Sequence, residues 1–268
     1  MTEPESFFAD GDIATSSLLP SGYLSASQIN TYLRCQMQYY WRYVQDIVRP
    51  PKAVMAEGSA LHKSLEHALR SKMSGTGVYL SLMKDAWRQT WAEKEKEVED
   101  WTDEGKSSFC QQAETRGMKF VEMYHEHFLP TIEPKGVEQD FQLLLGKSKI
   151  PIRGFIDLID GVGATKSVVD HKVVDRAKSE AEVDGDLQLT LYARAMGISN
   201  VRFDCFVKTK SPKIVKLAST RSVRDFVWIE LLVDRVVQGI QSGNFIPCAP
   251  GSWSCTEKQC GYFGICRK

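Results

Sequence analysis

Two acidic residues and a lysine stand at short spacing in IRGFIDLIDGVGATKSVVDHKVV, residues 152–174. The DGVG sequence at residues 160–163 is typical of a turn, so the segment predicts a β-hairpin. Folding that hairpin about residue 163 places Asp157 beside Asp170. Because side chains alternate along a strand, Asp170 and Lys172 should share one face of the sheet. The sequence therefore predicts two carboxylates and one ammonium group close together.

Such a group favours a divalent cation. Two neighbouring carboxylates repel each other, and one of them tends to take up a proton. Mg²⁺ or Mn²⁺ relieves the repulsion and keeps coordination positions open for water and phosphate. Lys172 could then orient or deprotonate a metal-bound water, or stabilise charge on a phosphate. The alternative is that Asp157, Asp170 and Lys172 are ordinary polar strand residues, but the flanking valines 168, 169, 173 and 174 predict a buried strand.

The helices and strands predicted along the sequence, which must position these residues, indicate an α/β fold. Four helices are predicted in a helical part, about residues 25–130, the first of them continuous through SASQINTYLRCQMQYYWRYV, residues 25–44; strand-like segments begin at about residue 137. Further helices are expected at about residues 184–196 and 222–241. We expect a mixed or mainly antiparallel sheet core, about 137–220, followed by a C-terminal helix and tail, about 221–268. Residues 1–22 are predicted to be a flexible lead-in, and residues 23–268 a single domain.

Composition excludes few classes of function. The 268 residues contain 34 basic and 34 acidic side chains, so net charge does not indicate a nucleic-acid partner, although a local basic stripe could still bind phosphates. The polar start predicts no signal peptide, and no apolar run is long enough to span a membrane. We therefore expect a cytoplasmic protein without a membrane partner, in which the seven cysteines are thiols or metal ligands.

Three spaced motifs resemble those of a known family. Gly154 to Asp157 reads Gly-x-x-Asp, Asp170 to Lys172 reads Asp-x-Lys, and Gln188 to Tyr192 reads Gln-x-x-x-Tyr. This ordered set resembles the PD-(D/E)XK nucleases. It is most similar to the RecB-like branch, which includes CRISPR-associated and phage exonucleases and the AddB nuclease domain. The segment GSALHKSLEHAL resembles the Gly-x-x-x-His helix of that branch, and the resemblance covers roughly residues 23–268.

The resemblance implies a restriction-endonuclease-like mixed β-sheet core flanked by helices, with a helical insertion. It also implies roles for individual residues. The implied Mg²⁺ or Mn²⁺ ligands are His62, Asp157, Asp170 and the backbone carbonyl of His171, with Glu138 as a further acidic candidate. The implied catalytic residues are Asp157, Asp170, Lys172, Gln188 and Tyr192. An imidazole ligand would favour Mn²⁺ beside Mg²⁺. Gly58 is expected to let the His62 helix approach the sheet, and the His171 ring to point away from the carboxylates.

The cysteines of the chain ends fit the iron–sulfur members of this branch. There, one ligand comes from the N-terminal helix and three from the C-terminal tail, which implies a 4Fe–4S cluster on Cys35, Cys255, Cys260 and Cys266. Zn²⁺ is the alternative, because four thiolates suit either group. Gln36 stands where many members have proline, and the first tail spacing is wider than usual. Cys248 is a competing ligand, and we expect a structural, cysteine-ligated clasp.

The implied function is a metal-dependent exonuclease acting on single-stranded DNA or DNA ends. A structure-specific or CRISPR-adaptation endonuclease and a non-catalytic DNA-binding subunit are the alternatives. Lys208, Lys210 and Lys213 surround a Ser-Pro turn, where they could hold a phosphate backbone or merely form a solvated turn. The resemblance implies a prokaryotic or phage-encoded protein, with recombination, repair or CRISPR adaptation as its setting. Cleavage polarity and oligomeric state do not follow from the sequence.

Overall fold

The computed structural model describes residues 18–101 and 105–267. Of the predicted lead-in, residues 1–17 lie outside this part of the chain, and Leu18 and Leu19 are buried. The chain divides into two compact units. One contains the residues up to 48, residues 144–152 and those from 232 onward; the other contains residues 49–143 and 153–231. The single domain expected across residues 23–268 stays a prediction.

The first helical segment is interrupted where the sequence predicted a continuous helix. Helix α1 (Ala26–Arg34) begins at Ser25, whose side chain forms a capping box with Gln28. At Cys35 the backbone is extended, and the chain restarts as α2 (Gln36–Tyr39), which continues into a π-helical segment, Tyr40–Val44. The break places the Cys35 thiol at a bend.

The helices that precede the sheet in the second unit agree with the predicted helical part. They are α3 (Ala53–Met73), α4 (Leu80–Lys94) and α5 (Lys106–Met123), the last followed by a π-helical segment, Tyr124–Phe128. Alanines 56, 60 and 68 and leucines 61, 65 and 69 recur at helical spacing along α3 and are buried. Gly117 of α5 faces the Trp87 ring of α4 so closely that a Cβ atom there would overlap the ring. Small residues thus allow these helices to pack tightly.

The sheet has five strands in the order β1-β2-β3-β4-β5. They are β1 (Pro134–Leu144), β2 (Pro151–Asp160), β3 (Ser167–Val174), β4 (Asn200–Val207) and β5 (Lys213–Thr220). The β2–β3 and β4–β5 pairs are antiparallel, whereas β3 and β4 are parallel and joined through α6 (Glu180–Asp184) and α7 (Leu187–Met196). The predicted mixed α/β sheet flanked by helices is confirmed.

A core lies on each face of the sheet. Leu158, Val169 and Phe206 belong to the core formed with α3, α4 and α5. Ile156, Val168 and Phe203 belong to the opposite core, formed with α6 and α7. In a regular strand, residues two apart share a face, but Ile156 and Leu158 lie in opposite cores. The alternation of β2 is therefore broken at Asp157, an irregularity of the kind that β-bulges produce beside active sites.

The last helices are α8 (Val223–Gln241) and the short α9 (Phe263–Cys266). Helix α9 lies within the cysteine-rich tail and ends at Cys266. Within the first unit, Asp234 of α8 accepts hydrogen bonds from the backbone N–H groups of Lys147 and Ser148, at 2.9 and 3.1 Å. Among the described residues, we find no helix with the length and apolar character needed to cross a bilayer.

Candidate active site and cysteine cluster

Asp157 lies at the break in β2, between two histidines. The backbone N–H of His171 donates to its Oδ2 atom at 2.7 Å, and Nδ1 of His62 on α3 lies 3.5 Å from the same oxygen. Because the strand is irregular here, the Asp157 carboxylate faces His62 on α3. It also accepts the backbone hydrogen bond from His171 on β3. Asp157 is thus fixed by both neighbouring elements.

A candidate metal-binding group forms around this carboxylate. One ligand atom each from His62, Glu138 and Asp157 lies within 4.8 Å of the others. Glu138, on β1, has a φ of 47°, which is uncommon for a residue with a side chain. An imidazole and two carboxylates suit Mn²⁺ and Mg²⁺. The structure thereby brings together the implied ligands His62 and Asp157 with Glu138, which the resemblance gave only as a further candidate.

Asp170 and Lys172 form a second group beside the first. Asp170 is 2% exposed, and its Oδ2 atom lies 2.9 Å from Nζ of Lys172, although the contact lacks hydrogen-bond geometry. Nζ of Lys172 also donates to Oε1 of Gln188 at 3.0 Å, and Nε2 of Gln188 donates to the Tyr192 hydroxyl at 2.6 Å. The four-residue spacing of Gln188 and Tyr192 on α7 therefore makes a direct hydrogen-bonded chain that ends on Lys172.

The electrostatics of the two groups differ. Burial would raise the pKa of Asp157, but the charge of His62 and the contacts with both histidines hold that pKa well below its usual range. For His62, burial would lower the pKa, yet Asp157 raises it to about 9. Burial raises the pKa of Asp170 to about 6 despite the charge of Lys172, with the Asp157 charge adding to the increase. Burial and the Asp157 charge raise the pKa of Glu138. Closely spaced carboxylates thus oppose each other in the absence of a cation.

One expectation about His171 is wrong. Its ring points towards one carboxylate, since Nδ1 lies 3.5 Å from Oδ2 of Asp157. The ring does lie on the sheet face opposite to Asp170 and Lys172, as alternation requires, but the broken alternation of β2 brings Asp157 to the same side. The ring is 2% exposed and lies against Tyr124 and Phe206, at centroid distances of 5.9 and 6.0 Å. The backbone carbonyl of His171 stays a predicted ligand.

A buried polar network behind His171 was missed by the sequence reasoning. Asp204 of β4 lies 4.0 Å from Nε2 of His171, and Arg202 binds Asp204 and Asp160 at 2.8 and 2.9 Å. Asp160 also accepts a backbone hydrogen bond from Glu133 at 2.8 Å. The signal was the alternation of Arg202 and Asp204 within the otherwise apolar strand VRFDCFV. This network supports the strands behind the site.

The candidate site opens into a pocket of about 770 Å³. Its walls come from α3, α4, β1, β2 and the end of β3, and Lys208 also lines it. Gly58 lines the pocket, and a Cβ atom at Gly58 would meet nothing within 4 Å. The expectation that Gly58 lets α3 approach the sheet closely is therefore wrong.

The predicted DNA-binding lysines surround the β4–β5 turn, as expected. Lys208 follows β4 and forms an ion pair with Asp175 at 3.1 Å. Lys210 is exposed in the turn, and Lys213 begins β5, where it pairs with Val207. Lys208 lines the candidate active-site pocket, whereas Lys210 and Lys213 do not.

The first unit brings the cysteines of both chain ends together. Cys35, Cys255, Cys260 and Cys266 line one small cavity, and the competing Cys248 lines it too. The backbone N–H of Cys248 lies 3.5 Å from Sγ of Cys35, and Arg267 donates to Sγ of Cys255 at 3.4 Å. Gln36, where many members of the resembled branch have proline, accepts a hydrogen bond from the backbone of Ile246 at 2.9 Å. Both remaining cysteines were expected to be buried thiols, on a helix and a strand; Cys205 is buried in β4, whereas Cys110 on α5 is only half-buried.

An acidic pair with a lysine on adjacent central strands, beside a histidine–carboxylate group, is the arrangement of a metal-dependent phosphodiester-cleaving enzyme. The chain belongs to the PD-(D/E)XK nuclease superfamily, whose sequence model matches residues 23–267. Members of this superfamily use divalent metals. A relative in Mycobacterium phage D29, the Gene 69 protein, is 27% identical over 250 residues, which are 83% of this chain and 89% of the relative.

A solved structure from Eubacterium rectale, described as that of a candidate exonuclease, has a similar fold. It superimposes with a TM-score of 0.56 and 13% identity over 91% of each chain. At this identity the likeness concerns the fold, and it agrees with the observed mixed sheet and flanking helices.

Proposed function

We propose that the chain is a metal-dependent deoxyribonuclease that acts as an exonuclease on single-stranded DNA or DNA ends. The observation that carries the proposal is the position of the His62–Glu138–Asp157 group beside the Asp170–Lys172 pair. His62, Asp157, Asp170 and the His171 carbonyl, with Glu138, would hold Mg²⁺ or Mn²⁺. The bound cation supplies Lewis-acid activation of water and stabilises phosphate charge.

Lys172 stabilises negative charge in this mechanism. Burial would lower the pKa of Lys172, but Asp170 raises it, so the ammonium stays protonated at neutral pH. Gln188 holds Nζ in place, and Tyr192 in turn holds Gln188. A charged, oriented ammonium beside the carboxylates is suited to stabilise the phosphate during phosphodiester hydrolysis and to donate a proton from Nζ.

Cleavage of end-labelled single-stranded DNA with Mn²⁺ tests this assignment. Lys172→Ala should lower the cleavage rate by about 10²- to 10⁴-fold, the usual contribution of a positioned proton-transfer or charged group. Lys166→Ala is the matched control, because Lys166 is an exposed lysine just before the same strand. Equal rates for wild type and Lys172→Ala would refute the mechanism.

Circular single-stranded DNA separates an exonuclease from the structure-specific or CRISPR-adaptation endonuclease. An exonuclease leaves closed circles intact and digests the same DNA once it is linearised. The name of the Eubacterium rectale protein agrees with this choice. The non-catalytic alternative is disfavoured because Asp157, Asp170 and Lys172 are all present. The phage relative fits a phage- or prokaryote-encoded intracellular nuclease of recombination, repair or CRISPR adaptation.

We also propose that Cys35, Cys255, Cys260 and Cys266 hold a structural 4Fe–4S cluster. The four thiols line one small cavity, as ligands of a single group must. The indole Nε1 of Trp41 is buried, and Trp41 lines the same cavity. Burial raises the pKa of the Cys266 thiol, whereas its contact with Trp41 lowers that pKa, so an indole N–H group is available to a cluster sulfur.

Anaerobic purification followed by iron, sulfide and zinc analysis decides between the two groups. We expect a brown protein with four iron atoms per chain. Cys35→Ser should lose the iron, whereas Cys110→Ser, the control in the other unit, should retain it. A colourless protein with stoichiometric zinc would overturn the cluster and favour the zinc alternative. If Cys35→Ser keeps its iron and Cys248→Ser loses it, Cys248 replaces Cys35 as the fourth cluster ligand.

A further inference from the structure

A second groove lies between α5 and the β4–β5 turn. It has a volume of about 840 Å³. Its walls include Gln111, Gln112, Thr115 and Lys119 on the helix and Lys208 and Lys210 on the turn. Together with Arg116, four basic side chains line the groove, whereas Glu122 is the one acidic residue in its described lining. The groove therefore favours an anionic occupant.

The groove and the candidate active-site pocket share one lining residue. Lys208 lines both the α5 groove and the pocket that contains His62, Asp157 and Lys172. The β3 and β4 strands are parallel, so Lys208 follows β4 at the same edge of the sheet as Asp175 after β3, and the two residues are 3.1 Å apart. Lys208 therefore marks the point at which the two cavities are adjacent.

The charges in the groove differ in their availability. Arg116 forms two hydrogen bonds with Glu57, at 2.9 and 3.0 Å, and Glu122 is paired with Lys84 at 2.6 Å. By contrast, Lys119 and Lys210 are exposed and form no ion pair within the described residues. These two lysines can accept a new anionic partner without breaking an existing pair.

We propose that the nucleic-acid strand cleaved in the active site continues past Lys208 into this groove, with backbone phosphates on Lys119 and Lys210. The proposal rests on the proposed nuclease function. Amide and hydroxyl groups such as those of Gln111, Gln112 and Thr115 commonly bind phosphate and sugar oxygens. The described lining holds no aromatic ring on which a base could stack. The groove thus binds the backbone without regard to sequence.

Charge reversal tests the proposal. DNA affinity is measured by fluorescence anisotropy in a Lys172→Ala background, which prevents cleavage, with Mn²⁺ present. Lys119→Glu/Lys210→Glu should weaken binding of a labelled single-stranded oligonucleotide about tenfold or more. Lys119→Gln/Lys210→Gln should lower the slope of log K against log salt by about 1.4, since each lost phosphate contact contributes about 0.7 for single strands.

A matched control comes from a separate polar groove of about 720 Å³ in the same unit, which shares no lining residue with the active-site pocket. It also contains two exposed lysines, Lys135 and Lys166. Lys135→Glu/Lys166→Glu makes the same change in net charge and should alter DNA affinity less than about twofold. Unchanged affinity in the Lys119/Lys210 variants, or an equal loss in the control, would overturn the proposal.

The failures of this inference and of the nuclease assignment are distinguishable. Wild type that cleaves DNA through Lys172 but binds as well without Lys119 and Lys210 refutes the groove alone. If the Lys119/Lys210 variants lose DNA binding but the wild type cleaves no DNA, the nuclease assignment alone is refuted. A parallel titration with duplex DNA shows whether single-stranded or duplex DNA occupies the groove. The DNA whose affinity falls more in the Lys119→Glu/Lys210→Glu variant is the one that binds there.

Discussion

A buried ion pair beneath the α5 groove gives a quantitative test of the packing of the helical layer. Glu57 on α3 is 2% exposed, and Arg116 on α5 binds both of its oxygens, at 2.9 and 3.0 Å. The guanidinium carbon also lies 5.7 Å from the centre of the Phe109 ring. Replacing Arg116 by methionine would keep the apolar stem but leave the Glu57 charge buried and unpaired.

The expected loss is about 3–5 kcal/mol in the free energy of unfolding, because an uncompensated charge remains away from water. Glu57→Met combined with Arg116→Met removes both charges and should lie within about 1.5 kcal/mol of wild type. The pair Arg176–Glu182 provides a control with similar geometry, at 2.8 and 3.0 Å, but Arg176 is 73% exposed. Arg176→Met should destabilise the protein far less than Arg116→Met, because solvent screens exposed pairs.

Urea unfolding of the four proteins, followed by circular dichroism, measures these differences through the midpoint at constant slope. The decisive comparison is between the single and double variants. A double variant no more stable than Arg116→Met would refute the reasoning, since it would assign the loss to removal of the pair itself and not to the unpaired charge of Glu57. A loss below 1 kcal/mol for Arg116→Met would show that water reaches Glu57.

Three further outcomes follow from individual contacts. Gly117→Ala should destabilise the protein by about 1–3 kcal/mol, because its Cβ atom would overlap Trp87, whereas Gly58→Ala, with open space, should be neutral or stabilising by up to about 1 kcal/mol in the same unfolding assay. Mn²⁺ at a hundred times its Kd should stabilise wild type by about 2.7 kcal/mol in thermal unfolding; Asp157→Asn should lose that shift, and Asp175→Asn, changed at a 90%-exposed carboxylate, should keep it. Backbone hydrogen bonds from Lys147 and Ser148 lower the pKa of Asp234, so its stabilisation is complete above the unfolded value of about 3.9 and is lost as pH falls through the folded value. Asp234→Asn should accordingly be less stable than wild type at pH 7, by about 1 kcal/mol or less, and the difference should shrink as pH falls through the lowered pKa of Asp234; a difference that does not change with pH would contradict the assignment.

Local periodicity accounts for what the sequence predicted correctly. The placement of Asp170 and Lys172 on one face follows from strand alternation, and the contact of Gln188 with Tyr192 follows from the four-residue helical repeat. Both rules apply within one regular element. The sequence could therefore predict the lysine half of the candidate site before any tertiary contact was known.

The remaining features depend on irregularity or on distant packing. The sequence predicted that the His171 ring points away from the carboxylates, whereas the ring lies beside Asp157. The error arose because no sequence signal marked the break in β2. The bend at Cys35 was missed because the segment around it has good helical residues. Lys119 lies on an ordinary exposed helix face, and only the return of the chain at residues 208–212 makes that face one wall of a groove.

The two groups of the candidate site are held by opposite layers of the molecule. Glu138, Asp157 and His171 meet His62 on the α3 side, whereas Asp170 and Lys172 meet α7 on the other. Three consecutive residues of β3 contribute to the two groups: Asp170 and Lys172 to one, and His171 to the other. The strand therefore sets the distance between the two groups. A change in Gln188 should therefore alter the orientation of Lys172 while leaving the His62–Glu138–Asp157 group in place. Cation affinity and cleavage rate then respond to different helices, which is the division expected if α3 holds the metal and α7 orients the lysine.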